Sequence, residues 1–592
     1  MTETTIEEKI LTAFKNPLIY DSNIKIVNKN IIQELELLNT IDESEVSIYE
    51  NIFKPQTITE KIVLKQLAET YTTNSKYLKN NQKVIEIFNN EELRILQQKY
   101  GIDSYFIEDT FKSWKEIKCE TGFCEKYLYI DWEFAKDLNN NPSFLQLMSI
   151  YSIISPILSL CLPIFVLIIP FFIIKMKGLD CNFKEYIDIL KVLVKNNALT
   201  KIFTEFNNVT IGQKIYMVIS AVFYLFSIYQ NILVCVRFYS NLKKIHDYLY
   251  KFKQFINYSI ELIDYYSKLT NSFETHNNFT LDLHNYKCSI TENIQIRLNN
   301  ISSFDFSFKK IGEIGDILYI FYQFHTNNIF ETSISYLFGF TSYIQLISQL
   351  VTNVKVNGQM KKADFSDKKA DFSIKQAYYP KFIDNFNNDN STKNNNIIKN
   401  DIDLSQNIII TGPNASGKTT TLKTILINIL LTQQFGIGCF ESCIINPFDN
   451  LHCYLNIPDT SGRDSLFQAE ARRCKEIIDC VTDLSNETHF CIFDELYSGT
   501  NPDEAIFSAY AFMDFLANKT NVKCMLTTHY IKLCKKLRKN KNIKNFCMKT
   551  NIYEGKLVYK YTIVEGISKV KGGLKVLKEM NYPKEILDKT NN

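Results

Sequence analysis

TGPNASGKTT, residues 411–420, restricts the fold of this chain more than any other segment. It has the pattern G-x-x-x-x-G-K-T, follows the apolar run Ile408 to Ile410, and precedes the helical-looking LKTILINILL. Strand, glycine loop and helix in that order are what the pattern requires, so an α/β domain is predicted around it. Gly412 and Gly417 let the backbone wrap tightly, and backbone N–H groups at a helix N-terminus then favour bound phosphate. The candidate cradle is Gly412, Pro413, Asn414, Ala415, Ser416, Gly417, Lys418, Thr419 and Thr420. Lys418 is placed to reach the β and γ phosphates of ATP, and the Thr419 hydroxyl to help hold Mg²⁺.

About 75 residues after that lysine comes HFCIFDELYSGTNPDEA. Its apolar run reads as a buried strand ending in Asp494 and Glu495. Asp494 is the candidate to hold magnesium through water, and Glu495 to orient and polarise the attacking water. An acidic pair after a strand is often only a surface turn, but the phosphate loop upstream favours the catalytic reading. A third strand, VKCMLTTHY, ends at His529, the candidate contact to the γ-phosphate. Lys418, Glu495 and His529 thus form the expected catalytic set, with ATP and Mg²⁺ as cofactors.

Together these segments resemble the MutS family of mismatch-repair ATPases. TGPNASGKTT is similar to its TGPN-type loop, DELYSGTN to its DE-x-x-x-GT segment, and TTHY to its TH-aromatic switch. SLFQAE at 465–470 is similar to its STFxxE signature, although GRDS before it is one residue longer than the family's interval. The resemblance implies that Ser465 reaches the γ-phosphate held by a partner subunit, hence a homodimer through the ATPase heads. Ile397 stands where the family commonly has an adenine-stacking aromatic, and SKVKGGLKVLKEMNYPKEILDKT resembles its closing helical segment. ELELLNT, TITEKIVLKQL and NNQKVIEIF resemble the opening of its helical core. No separate mismatch-reading domain is expected before residue 20, and no Phe-x-Glu reading motif stands in a suitable place. The implied fold is an α/β P-loop NTPase head of ABC/MutS type, C-terminal to an α-helical core or lever domain with a hydrophobic helical hairpin.

That hairpin is read from two blocks. No charge occurs from about Pro142 to Ile174, and a second uncharged block runs from Ile215 to Val236. Each reaches the roughly 20 residues that cross a bilayer. Pro156, Pro163 and Pro170 lie seven apart in the first block, so a kinked span or re-entrant hairpin is expected rather than a straight helix. Tyr216, Tyr224 and Tyr229 are candidates for the interfacial level. Arg237, Lys243 and Lys244 suit a cytosolic exit, whereas Lys175 and Lys177 after the first block do not. The alternative is a hairpin buried in a large core. The expected organisation is 1–141 helical core, 142–237 hairpin with its connection, 238–360 second helical part, and 361–592 ATPase domain.

The net charge of +3 does not suggest a chain dedicated to polyanions, though lysines 243, 244, 251 and 253 offer a local basic face for DNA. The fifteen cysteines contain no CxxC pair, and Cys439, Cys443, His452 and Cys453 have the wrong spacing for zinc. The N-terminal MTETTIEEKI is acidic and polar, so no signal peptide is expected. KKADFSDKKADFS duplicates KKADFS and is expected in an exposed loop. The reading is therefore a membrane-anchored ATPase with its head in the cytosol. One alternative is a soluble cytoplasmic or nuclear DNA-repair factor, and another is an ATP-switched scaffold. Two short apolar blocks do not suit an ABC-type transporter.

Overall fold

The uncharged block that begins at Pro142 folds as one helix, α1 (Pro142–Met176). Asn141 caps it, its side chain accepting from the Ser143 and Phe144 N–H groups, and Pro142 takes a first-turn position where no N–H is needed. The interior prolines do not break it into a re-entrant turn. Each proline deprives the carbonyl four residues earlier of its usual donor. At Pro156 and Pro163 substitute donors are present. The Ser155 hydroxyl donates to the Ser152 carbonyl at 3.2 Å, and the Tyr224 hydroxyl donates to the Ser159 carbonyl at 3.0 Å.

Tyr224 lies on α2 (Ile211–Thr270), and its hydroxyl serves the neighbouring helix. Asn231 Nδ2 donates to Ser159 Oγ at 2.5 Å, and Cys235 Sγ reaches the Ile153 carbonyl at 3.8 Å. These groups form a polar seam between the two helices, and many of the apolar side chains around it are exposed. Ile157 is 60% exposed and Phe223 68%. Among the described residues three helices, α1, α2 and α3 (Asn328–Lys355), are long and apolar enough to cross a membrane by length and composition. They differ in burial: 83% of the most apolar stretch of α3 is buried, against 17% in α1 and 6% in α2.

The structure is a computed structural model that describes residues 5–42, 44–178, 182, 184–187, 210–301, 308–387, 397–455, 465–553, 556–568, 570 and 582–583. The connection between the two apolar blocks and the proposed closing helical segment lie largely outside these. The chain divides into two compact units, 109–257 with 289–331, and 1–108 with 258–288 and 332–592. The first contains the hairpin and an aromatic core in which Trp114 meets Phe252 and Phe324 edge-on at 5.8 and 6.0 Å. Here the lysine face proposed for DNA is largely engaged. Lys251 pairs with Asp109 at 2.5 Å and Lys244 with Glu116 at 3.4 Å. Lys253 donates to the Asn299 and Ile301 carbonyls at 3.0 and 2.8 Å.

In the second unit α3 is a core helix. A Cβ on Gly339 would lie 2.4 Å from the Phe14 side chain, and Phe14 makes edge contacts with Tyr336, Phe340 and Phe279. The nucleotide-type domain follows: β1 (Asn407–Thr411), α4 (Lys418–Phe435), β2 (Asn450–Tyr454), α5 (Leu466–Asp483), β3 (His489–Asp494), α6 (Pro502–Ala517), β4 (Val522–Thr528), β5 (Ile543–Tyr553) and β6 (Lys556–Glu565). They form a sheet in the order β2-β3-β4-β1-β5-β6, parallel except for β6. β1 is buried at every position and β3 at all but Asp494, which explains their unbroken apolar runs. α4 is buried almost throughout because N-terminal segments cover it; Gln434 Nε2 donates to the Leu67 and Thr70 carbonyls, both at 2.8 Å.

The KKADFS duplication is not an exposed loop. Phe365 and Phe372, the equivalent phenylalanines, flank Ile445 on either side of the strand Ser442–Ile445, one in parallel and one in antiparallel pairing. Ala363, Ala370 and Phe372 are buried. The period-2 alternation of each copy supplies one face to a small sheet, a signal outweighed in the sequence by the flanking lysines.

Tyr224→Phe should leave the Ser159 carbonyl without its main donor and cost about 1 kcal/mol of stability. Thermal unfolding of the purified protein checks this, with Tyr229→Phe, on an exposed stretch of the same helix, expected to change little.

Candidate functional site

At the carboxyl end of β1 the chain turns through Gly412 to Gly417 into α4. Gly417, at φ 92°, is the residue preceding the helix, and Ala415 adopts φ 60°. A Cβ on Gly412 would fall 2.7 Å from Ser416 Oγ and 3.1 Å from Met548 Cβ, so the close approach requires glycine. Ser416 is buried, and its hydroxyl has no hydrogen-bond partner among the described residues.

Sheet register assembles the rest. Thr411 of β1 pairs with Thr528 of β4, and Asp494 of β3 with Thr527. The carboxyl ends of three adjacent parallel strands therefore share one edge, the usual ligand edge of such a sheet. Thr419 Oγ1 donates to Asp494 Oδ2 at 2.7 Å, and the Thr527 hydroxyl donates to the other carboxylate oxygen. The Glu495 N–H is fixed on the Thr527 carbonyl at 3.0 Å, with Glu495 itself at φ 52°. Glu495 Oε1 lies 2.6 Å from His529 Nε2 and 3.7 Å from Lys418 Nζ. The His529 hydrogen bond, opposed in part by burial and aided by Lys418, holds the Glu495 carboxyl below its usual range. Lys418 is 5% exposed, and burial lowers its pKa despite the two nearby carboxylates. Its ammonium donates to the Gly412 and Pro413 carbonyls at 3.2 and 3.3 Å.

Lys418, Thr419, Asp494, Glu495 and His529 are thus brought into one constellation. Beside it opens a cavity of about 910 Å³, lined by Asn414, Ala415, Gly417, Lys418, Thr419, Thr420 and Glu495 among others. Ile397 lines it too, but its aromatic walls come from elsewhere: Tyr379 and Phe382, whose rings meet edge-on at 5.9 Å, and Tyr559 and Tyr561 of β6. Ser465 does not line the cavity. It is exposed and caps α5, accepting from the Gln468 N–H at 3.3 Å.

One residue of consequence lay inside SLFQAE without being singled out. Glu470 is 2% exposed and accepts from the Ser498 N–H and hydroxyl, both at 3.0 Å, and from the Gly499 N–H at 3.2 Å. It therefore shapes the loop that follows the acidic pair. An acidic residue on the buried face of an amphipathic helix was the available signal.

Residues 408–592 match the family model for MutS domain V. The C-terminal third is a MutS-family ATPase domain. It is an ABC-type P-loop ATP hydrolase domain, preceded by a largely helical part. The chain is 32% identical over 204 residues to the DNA mismatch repair protein MutS of Ehrlichia chaffeensis, covering 33% of this chain and 24% of that protein. Over 198 residues it is 29% identical to the Wolbachia pipientis protein of the same name, covering 33% and 23%. The Parabacteroides distasonis protein is 31% identical over 197 residues, covering 32% and 22%. The chain thus spans about a quarter of the length of the curated relatives it matches.

Within the MutS domain, Glu470→Ala should strand two backbone N–H groups and cost about 2 kcal/mol or more of stability. Urea unfolding checks this. Glu470→Gln, which keeps an acceptor, should recover part of the loss and of any lost ATPase rate.

Proposed function

We propose that this chain binds and hydrolyses ATP at paired MutS-type heads and is anchored in a membrane by α1 and α2. The constellation around Asp494 and Glu495 carries the chemical half of that reading. The donor set fits a hard cation: the Thr419 hydroxyl and Asp494 carboxylate, 2.7 Å apart, would hold Mg²⁺. The ion would supply charge neutralisation at the phosphates. The partnerless Ser416 hydroxyl and the loop N–H groups suit phosphate oxygens. Lys418 would exchange its two loop carbonyls for the β and γ phosphates. Glu495, kept ionised by His529, would take a proton from the water attacking the γ-phosphorus while the β–γ bridging oxygen leaves with ADP. His529 would hold that carboxylate and reach the γ-phosphate.

The placement of Ser465 supports pairing of heads. Its exposed hydroxyl at the start of α5 is absent from the lining of its own chain's cavity, and a partner's nucleotide is the ligand the family resemblance suggests. The open apolar faces of α1 and α2 support a lipid environment, since an exposed apolar surface of this extent is uncommon on a soluble monomer. Satisfaction of proline-freed carbonyls inside the hairpin is the provision that such an environment demands.

A second reading, retention of DNA binding, is favoured by the name of the relatives, DNA mismatch repair protein. The engagement of Lys244, Lys251 and Lys253 leaves it less cationic surface. It requires salt-sensitive preference for mismatched or branched over matched duplex.

Lys418→Ala should abolish nucleotide binding. Glu495→Gln should retain binding and slow hydrolysis by about 100-fold or more; wild-type turnover in that variant would remove Glu495 from the role. Full-length protein should resist carbonate extraction, and a chain lacking 142–237 should be released. A carbonate-soluble full-length chain would refute the anchor while leaving the ATPase intact.

A further inference from the structure

Away from the nucleotide cavity, the far end of α5 lies beside the amino end of β3. Asn450 pairs with His489 and His452 with Cys491, so His452 and His489 sit on one sheet face, two residues out of register. His452 Nε2 and His489 Nδ1 are 3.2 Å apart. Cys480, in the last turn of α5, brings its sulfur to the same place; the three donor atoms all lie within 4.8 Å of one another.

We propose that His452, Cys480 and His489 are ligands of one divalent cation of the zinc class. Bond lengths of about 2.0–2.1 Å to nitrogen and 2.3 Å to sulfur put tetrahedral ligand nitrogens roughly 3.3 Å apart, close to the spacing found. His489 Nε2 is 3.1 Å from the Leu484 carbonyl. Only a proton on that nitrogen makes this a hydrogen bond, which leaves the Nδ1 lone pair facing His452. An imidazole fixed through its second nitrogen on a carbonyl is the usual support for a metal ligand. A thiolate with two imidazoles selects zinc-like ions over magnesium or calcium.

A cavity of about 140 Å³ lined by His452, Cys480, Asn28, Glu476 and Arg473 adjoins two of the ligands and would give water access to the fourth position. Arg473 is the unfavourable charge there, but it pairs with Glu476 at 3.3 Å and donates to the Cys453 carbonyl at 3.0 Å. Binding releases the Cys480 proton to solvent, moves the His452 proton from Nε2 to Nδ1 by exchange with water, and replaces the ring-to-ring hydrogen bond with two metal bonds. The consequence is mechanical. α5 carries Ser465 and Glu470, and the cation ties its opposite end to β2 and β3. This site does not rest on the ATPase reading.

The test uses full-length protein dialysed against chelator and titrated with Co²⁺, then Zn²⁺. One equivalent of Co²⁺ should give a thiolate-to-cobalt charge-transfer band in the near ultraviolet, which Zn²⁺ abolishes. Cys480→Ser should lose the band, and His452→Gln should weaken binding by about tenfold or more. In the unmutated protein, Zn²⁺ should protect Cys480 from alkylation, read by peptide mass spectrometry, so the result does not depend on a variant folding. Absence of the band, its persistence in Cys480→Ser, or alkylation of Cys480 unaffected by Zn²⁺ would each overturn the proposal.

Discussion

Parallel pairing of β1 with β4, and of β4 with β3, is the constraint from which the site follows. It aligns Thr411 with Thr528 and Asp494 with Thr527, so three loops far apart in sequence leave the sheet at one edge. Only then does the Thr419 hydroxyl meet Asp494, and only then do Lys418 and His529 converge on Glu495. The backbone reinforces this: Glu495 is held at positive φ by its N–H bond to Thr527, and Glu470 ties down the following loop from α5. A buried ammonium, two carboxylates and an imidazole are costly to bring together without compensation. Here each has a hydrogen bond or an opposite charge.

The hairpin solves a different problem with the same currency of satisfied polar groups. Its prolines open gaps in the helical ladder; at Pro156 a serine of the same helix fills one, and at Pro163 a tyrosine of α2 fills another, beside an asparagine-to-serine bond between the helices. Beside that line many aliphatic and aromatic groups are exposed. α3 has a similar composition and is enclosed by protein. Hydrophobicity alone does not distinguish these helices; their neighbours do.

Much of the head was legible because its signals are local. A glycine loop between an apolar strand and a helix, or an acidic pair ending a strand, is written in consecutive residues. What escaped was non-local. Glu470 looked like one more charge on α5 until its acceptor role beneath Ser498 and Gly499 appeared. The aromatic walls of the cavity come from Tyr379, Phe382, Tyr559 and Tyr561, on either side of the loop in sequence, whereas only Ile397 drew attention in the strand approach. The KKADFS copies read as loop because lysines hide the strand period, yet both flank Ile445.

By itself, the sequence determined that this chain contains a phosphate-binding α/β domain of MutS type and two apolar blocks, since motif order and hydrophobic run length survive without coordinates. Tertiary structure alone decided which residues share a space. Ser465 caps α5 away from its own chain's cavity, Tyr224 serves a carbonyl released by Pro163, and His452 faces Cys480 and His489 instead of the nearby Cys439 and Cys443. The physical reason is that strand register and helix packing set distances that separation along the chain does not encode.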